Sequence, residues 1–186
     1  MILILFQACG VTPELDTAIS ALEEPEQQFA SIAEDDQSVI SLEPERYLGV
    51  WYEIATTPGF QQQNCVGTTA TYSLIDTETI GVLNECWLGS FEGNRNRIEG
   101  TATAIDESYA RLLVDFNFGF QAPYNVVELD GSSGSEPYQF AAVASYNALW
   151  ILSRSPEIDE ELLAELLERL EEREFPVDRL EYTPHP

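Results

Sequence analysis

Few side chains in this sequence could do covalent or metal chemistry. The thiols are Cys9, Cys65 and Cys86, and the single imidazole is His185, next to the C-terminus. A Ser-His-Asp triad needs a histidine between nucleophile and acid, and a zinc or haem site built on internal histidines needs them inside the domain. One terminal histidine supplies neither. A nucleophilic thiol needs a neighbouring base to deprotonate it, and no histidine is placed to serve Cys65 or Cys86. The carboxylates are many but scattered, with no evident partner for acid–base work. What remains is a set of Tyr, Trp and Phe residues with a few polar handles, which suits the wall of an apolar binding pocket better than a reaction centre. No cofactor and no metal are implied.

The elements that position these residues must come from 186 residues, a length that predicts one domain, with 44% apolar and 11% aromatic residues to build its core. Eight basic residues face 33 acidic ones, for a net charge of −25. All eight are arginine. This balance excludes sequence-neutral phosphate binding, and so nucleic acid, and excludes a polybasic membrane patch. No apolar run is long enough to span a bilayer as a helix.

From about residue 47, short runs rich in Val, Thr, Tyr, Phe and Leu alternate with polar turn clusters. They predict strands at 49–56, 66–75, 80–88, 96–105, 110–117, 123–129, 138–145 and 148–153. Eight short strands with no helix between them and no long crossover predict an all-β fold, an eight-stranded antiparallel up-and-down barrel. Such a barrel encloses room for one small ligand. Alternation turns Ala70, Tyr72 and Leu74 to one face, Val82 with Asn84, and Phe116 with Phe118. One C-terminal helix follows: Ile158, Leu162, Leu163, Leu166, Leu167 and Leu170 share a face, Asp159 is placed to cap it, and Pro176 stops it. Residues 179–183 could form a last short strand.

Two segments are specific. Arg46-Tyr47-Leu48-Gly49-Val50-Trp51-Tyr52-Glu53-Ile54 opens the first strand, and Leu149-Trp150-Ile151-Leu152-Ser153-Arg154-Ser155-Pro156 closes the eighth. The first resembles the Gly-x-Trp signature of the lipocalins, the second their arginine-bearing third conserved region. Between them Ala70 to Leu74, Val82 to Asn84, Ile98 to Ala102 and Tyr124 to Asp130 fall in the expected order. The resemblance runs from about Pro44 to Tyr182, and the pattern is nearest to the bacterial outer-membrane lipoprotein lipocalins and apolipoprotein D. It implies that Gly49, Trp51 and Arg154 are structural, with Arg154 lying over the indole as a cation–π pair that plugs one end of the barrel. It also implies, by similarity to apolipoprotein D, that Tyr72, Asn84, Tyr124 and Trp150 line the cavity. Alternation adds Ala70, Leu74, Val82, Phe116 and Phe118 to that wall.

The N-terminal residues Met1 to Gln7-Ala8-Cys9-Gly10 resemble the end of a bacterial lipoprotein signal, in which the chain is cut before a cysteine that receives lipid. On this reading residues 1–8 are a truncated leader, Cys9 is the lipidated residue, 9–43 is an acidic flexible tether and 44–186 is the binding domain. Cys65 and Cys86 are then left as a pair in a compartment where disulfides persist, and a bridge between them is expected, with two free thiols as the alternative. An ideal register sets Cys86 opposite about residue 69, so Cys65 must bend back to reach it. The expected function is binding, storage or transport of a fatty acid or lysophospholipid at the cell envelope, for membrane maintenance, by a monomer or weak dimer facing the periplasm. An enzyme on the same barrel, such as an isomerase or a carotenoid-modifying activity, and a purely structural envelope lipoprotein are the competing expectations.

Overall fold

The computed structural model describes residues 38–39, 41–59, 62–131, 134–146 and 148–186. Cys9, the 1–8 leader and most of the 9–43 tether lie outside the described residues. One helical turn, α1 (Pro44–Tyr47), leads into β1 (Gly49–Thr56). There follow β2 (Cys65–Leu74), β3 (Thr79–Leu88), β4 (Arg95–Ala104), β5 (Arg111–Asp115), β6 (Gln121–Leu129), β7 (Phe140–Ser145) and β8 (Ala148–Ser153). Helix α2 (Glu160–Glu172), a 3-10 turn (Val177–Arg179) and the two-residue β9 (Glu181–Tyr182) complete the chain. Strands β2 to β8 pair antiparallel in sequence order. β1 joins β8 on one side and β2 on the other, which closes an eight-stranded barrel.

Local chemistry explains the tight turns. In the β2–β3 hairpin the Asp76 carboxylate accepts the backbone N–H of Glu78 and of Thr79 at 3.0 and 2.9 Å, and this donation holds its pKa below the usual carboxylate range. Gly67 permits the irregularity in β2. Its φ is +61°, and a Cβ there would stand 2.8 Å from the Trp87 ring. The β2–β3 register shifts between Val66 and Thr69, so Cys65 lies opposite Leu88 while Thr69 lies opposite Glu85. This bulge supplies the bend the sequence demands, and Cys65 is bonded to Cys86 with 5.5 Å between their Cα atoms.

Two apolar cores result. Inside the barrel, Trp51, Tyr72, Val82, Ala102, Val114, Val126, Val143 and Leu152 pack together. Outside it, the leucine face of α2 covers Ile54, Val127, Ala142, Leu149 and Ile151. Asp159 caps the helix through the Leu162 N–H at 3.0 Å, and Glu128 of β6 receives Arg169 and Arg173 from its far end.

Several strand ends shift by one or two residues from expectation, and two boundaries differ in ways that bear on the site. The domain begins before residue 44: Val39 N–H donates to Val126 O at 2.8 Å, Leu42 N–H donates to Ser108 O at 2.9 Å, and Leu42 is part of the inner core. The end of the predicted tether is therefore packed, because apolar Val39 and Leu42 interrupt its acidic run. β5 stops at Asp115, where its carboxylate accepts the Asn117 N–H at 2.6 Å and Asn117 takes a φ of +64°.

The Cys65–Cys86 bond closes a 21-residue separation. Reducing it should lower stability by about 3 kcal/mol in the chain-entropy treatment. Denaturant unfolding with and without reductant measures this, and native alkylation should label neither thiol before reduction.

Candidate functional site

Hairpin turns at 75–78 and 105–110 and the long β6–β7 connection share one end of the barrel with the start of β1. The connections after β1, β3, β5 and β7 form the other end. The first end is closed by Trp51, which is fully buried. The Arg154 guanidinium carbon lies 3.8 Å from the centre of the indole. Its three nitrogens donate to three different segments: Nη1 to Val50 O at 2.8 Å, Nη2 to Arg46 O at 2.9 Å and Nε to Tyr138 O at 2.9 Å. The indole Nε1 donates to Tyr47 O at 2.8 Å. Partial burial lowers the Arg154 pKa, but guanidinium is so basic that it stays a cation. Gly49 is favoured here because its φ is +97°, a conformation that L side chains rarely adopt.

Above this plug, three tyrosines form the floor of the interior. Tyr124 Oη is 2.8 Å from both Tyr47 Oη and Tyr72 Oη. Burial, which dominates, pushes the Tyr72 phenol up to about 12 and raises Tyr47 and Tyr124 well above their ordinary value. The cluster is therefore neutral at physiological pH and can give or take hydrogen bonds without carrying charge.

The expected wall residues divide into two groups. Tyr72, Val82, Ala70, Phe116, Tyr124 and Trp150 all pack on the inner core. Val82 lies opposite Tyr72 and Asn84 opposite Ala70. The Phe116 ring lies where a Cβ on Gly100 would stand, 2.6 Å from its Cδ1, so the glycine admits the aromatic. Trp150 belongs to the open half, paired with Thr56, and donates its Nε1 to Gln62 Oε1 at 3.3 Å. Asn84 Oδ1 is buried without a hydrogen-bond partner.

Leu74 and Phe118 are corrections. Leu74 has the inward parity but is the last residue of β2 and is 52% exposed, because the barrel wall ends there. Phe118 lies beyond β5, in the loop at the open rim, 58% exposed and beside Phe120. Alternation does not extend past a strand that has ended.

The polar centre of the site went unpredicted. Glu53, two residues after Trp51 on the same face of β1, is buried. Gln62 Nε2 donates to its Oε2 at 2.7 Å, and Thr183 Oγ1 donates to its Oε1 at 2.6 Å. The Thr68 hydroxyl faces the carboxylate outside hydrogen-bond geometry. Burial raises the Glu53 pKa, and these donors together with His185 oppose the rise without cancelling it. Period-two spacing from Trp51 was the available signal. Gln62 and Thr183 are distant in sequence and left none.

Both Cys65 and Cys86 are in the disulfide, so neither thiol is available as a nucleophile. Among the described residues no group of three or more His, Cys, Asp or Glu could hold a metal ion, and no helix is long and apolar enough to cross a membrane.

A closed antiparallel barrel, plugged by a tryptophan–arginine pair at one end and walled by apolar and aromatic groups, is the architecture of a ligand-binding cup. The model of the lipocalin-like domain matches residues 42–185, and the chain belongs to the lipocalin family. It is 39% identical over 158 residues to temperature-induced lipocalin-1 of Arabidopsis thaliana, covering 78% of this chain and 81% of that protein. It is 35% identical over 151 residues to the outer membrane lipoprotein Blc of Citrobacter freundii, covering 80% and 82%. Among solved structures, lobster apocrustacyanin A1 aligns with a TM-score of 0.62 at 20% identity, covering 86% of this chain and 84% of that one, which bears on the fold alone.

Replacing Arg154 with alanine removes the cation from the indole and leaves three carbonyls without their donor. A stability loss of about 2–4 kcal/mol is expected. Thermal unfolding measures it, and ligand affinity of the folded fraction should change little.

Proposed function

We propose that the protein binds one amphiphile with a single acyl chain, a fatty acid or a lysophospholipid, inside the barrel, and stores or moves it at a bacterial cell envelope for membrane maintenance. The observation that carries this reading is the contrast between floor and wall. Trp51, Tyr47 and Tyr72 are buried, whereas Ala70, Asn84, Phe116 and Trp150, which point into the same closed barrel, are only half-buried. An inward side chain keeps accessible surface only where the interior is not filled by its neighbours. The wall around that space is mostly apolar, and each methylene buried against it is worth about 0.8 kcal/mol before the costs of association.

The envelope setting rests on other support. Cys9 follows a lipoprotein-like leader, and a relative of similar length is an outer membrane lipoprotein. On this reading the acyl groups on Cys9 tether the protein to the membrane rather than spanning it. A binding protein rather than an enzyme is favoured by the disulfide, which occupies both thiols of the domain.

Titrating delipidated protein with a lysophospholipid and with a fatty acid should quench tryptophan emission and saturate at one equivalent. Absence of a response to both would remove the binding reading. In the cell of origin, full-length protein should partition into detergent and the Cys9→Ser form should remain in the aqueous phase. Equal partitioning of the two would remove the anchor.

A further inference from the structure

One band of the inner wall carries acceptors on three adjacent strands. Glu53 on β1 is on the face of Trp51, Thr68 on β2 stands beside it, and Asn84 on β3 lies one rung nearer the floor, opposite Ala70. The Glu53 carboxylate is positioned by Gln62 and Thr183, so its charge is fixed in direction. Gln62 in turn accepts from the Trp150 indole, which ties the band to β8, the strand on the other side of β1. Asn84 Oδ1, on the residue opposite inward-facing Ala70, is buried with no donor. The Arg154 guanidinium is spent behind Trp51 on the closed end. The titratable groups facing Glu53 are His185, whose Nε2 is 2.7 Å from the Glu53 carbonyl oxygen, and Tyr72.

We propose that Glu53, Thr68 and Asn84 form a specificity band that takes an amphiphile whose polar end donates hydrogen bonds, a hydroxyl or an ammonium, in preference to a carboxylate on the same chain. This rests on the reading that the barrel holds an amphiphile. A hydroxyl or ammonium supplies the donor that Asn84 Oδ1 lacks, and an ammonium also gains from the Glu53 charge. A carboxylate brings a second anion toward a fixed one across a space poor in water, where repulsion is far stronger than in solution. A lysophospholipid or monoacylglycerol carries a glycerol hydroxyl, whereas a fatty acid at neutral pH carries only acceptors. Protonating Glu53 removes the repulsion, so the penalty against a carboxylate falls as pH drops through the raised pKa of Glu53 and is full above it.

The test uses three probes of equal chain length, 1-dodecanol, dodecylamine and dodecanoate, titrated into delipidated full-length protein. The titration is followed by tryptophan fluorescence, with salt at about 0.3 M to screen the acidic surface. Above neutral pH the alcohol and the amine should bind at least about tenfold tighter than the acid. In Glu53→Gln that gap should shrink to less than about threefold, with the acid gaining most. Lowering the pH should tighten dodecanoate more in the wild type than in Glu53→Gln, which controls for protonation of the probe itself. Asn84→Leu should weaken the alcohol several-fold and leave the acid nearly unchanged, and it decides the matter if Glu53→Gln fails to fold. Equal affinities in the wild type, or a gap that Glu53→Gln and Asn84→Leu leave intact, would overturn the band while the binding reading stands. Silence from all three probes would overturn both.

Discussion

The contact between the Arg154 guanidinium and the Trp51 indole holds the rest of the molecule in place. One side chain from the end of β8 covers an aromatic face from the start of β1 and donates to carbonyls of Arg46, Val50 and Tyr138. Those carbonyls belong to the contiguous α1–β1 segment and to the segment before β7, so a single cation at the end of β8 ties together pieces of chain far apart in sequence. Its planar fork does what an ammonium could not, because three donors leave it in three directions while its face stays on the ring. The indole is oriented from the other side by Tyr47 O. With the plug fixed, the tyrosine cluster sits on a rigid base.

The proposed ligand space has an energetic consequence. A barrel that leaves space at its centre gives up contacts that a filled core would make. The structure offsets this at its margins. The second core beneath α2 buries Leu166, Leu170, Ile151 and Leu149 outside the barrel wall, the disulfide restricts the unfolded chain, and Arg169 and Arg173 dock the helix on Glu128. Stability is therefore built outside the barrel interior. The buried Glu53 works against folding: its raised pKa means that it stabilises least once pH exceeds that value. Buried groups that cost stability and are nevertheless held by dedicated donors are reasonable places to look for function.

Much of this was legible in the residues. β1 and β8 run over 49–56 and 148–153 as read from the sequence, and the helix cap at Asp159 and its six apolar positions agree. These features are local, set by alternation, propensity and capping within a few residues. Parity also told which face Ala70, Tyr72 and Val82 take. It did not tell where along the barrel a residue sits. Leu74 has the right parity and the wrong height, and Phe118 follows a strand that had already ended. Glu53 was hidden for a different reason. A carboxylate reads as a surface group until its donors are known, and its donors come from a loop at Gln62 and a tail at Thr183. Likewise Tyr47 sits outside any strand, and its place on the floor follows from Trp51 Nε1 reaching back to its carbonyl.

The tail has a consequence for how the molecule is made. β1 and β2 pair only from Gly49 to Tyr52, and above that point Glu181 and Tyr182 pair with Thr56 and Ala55, while Pro184 O accepts from Gly67 N–H. Thr183 and Glu53, 130 residues apart, meet only across this seam. Synthesis runs from the N-terminus, so every barrel strand is made before residues 181–184. The slot between the first two strands therefore cannot be sewn shut until those residues follow. Until then an unpaired strand edge and the interior are both open to water, and the nascent barrel is at its most exposed to aggregation and to any chaperone that guards it.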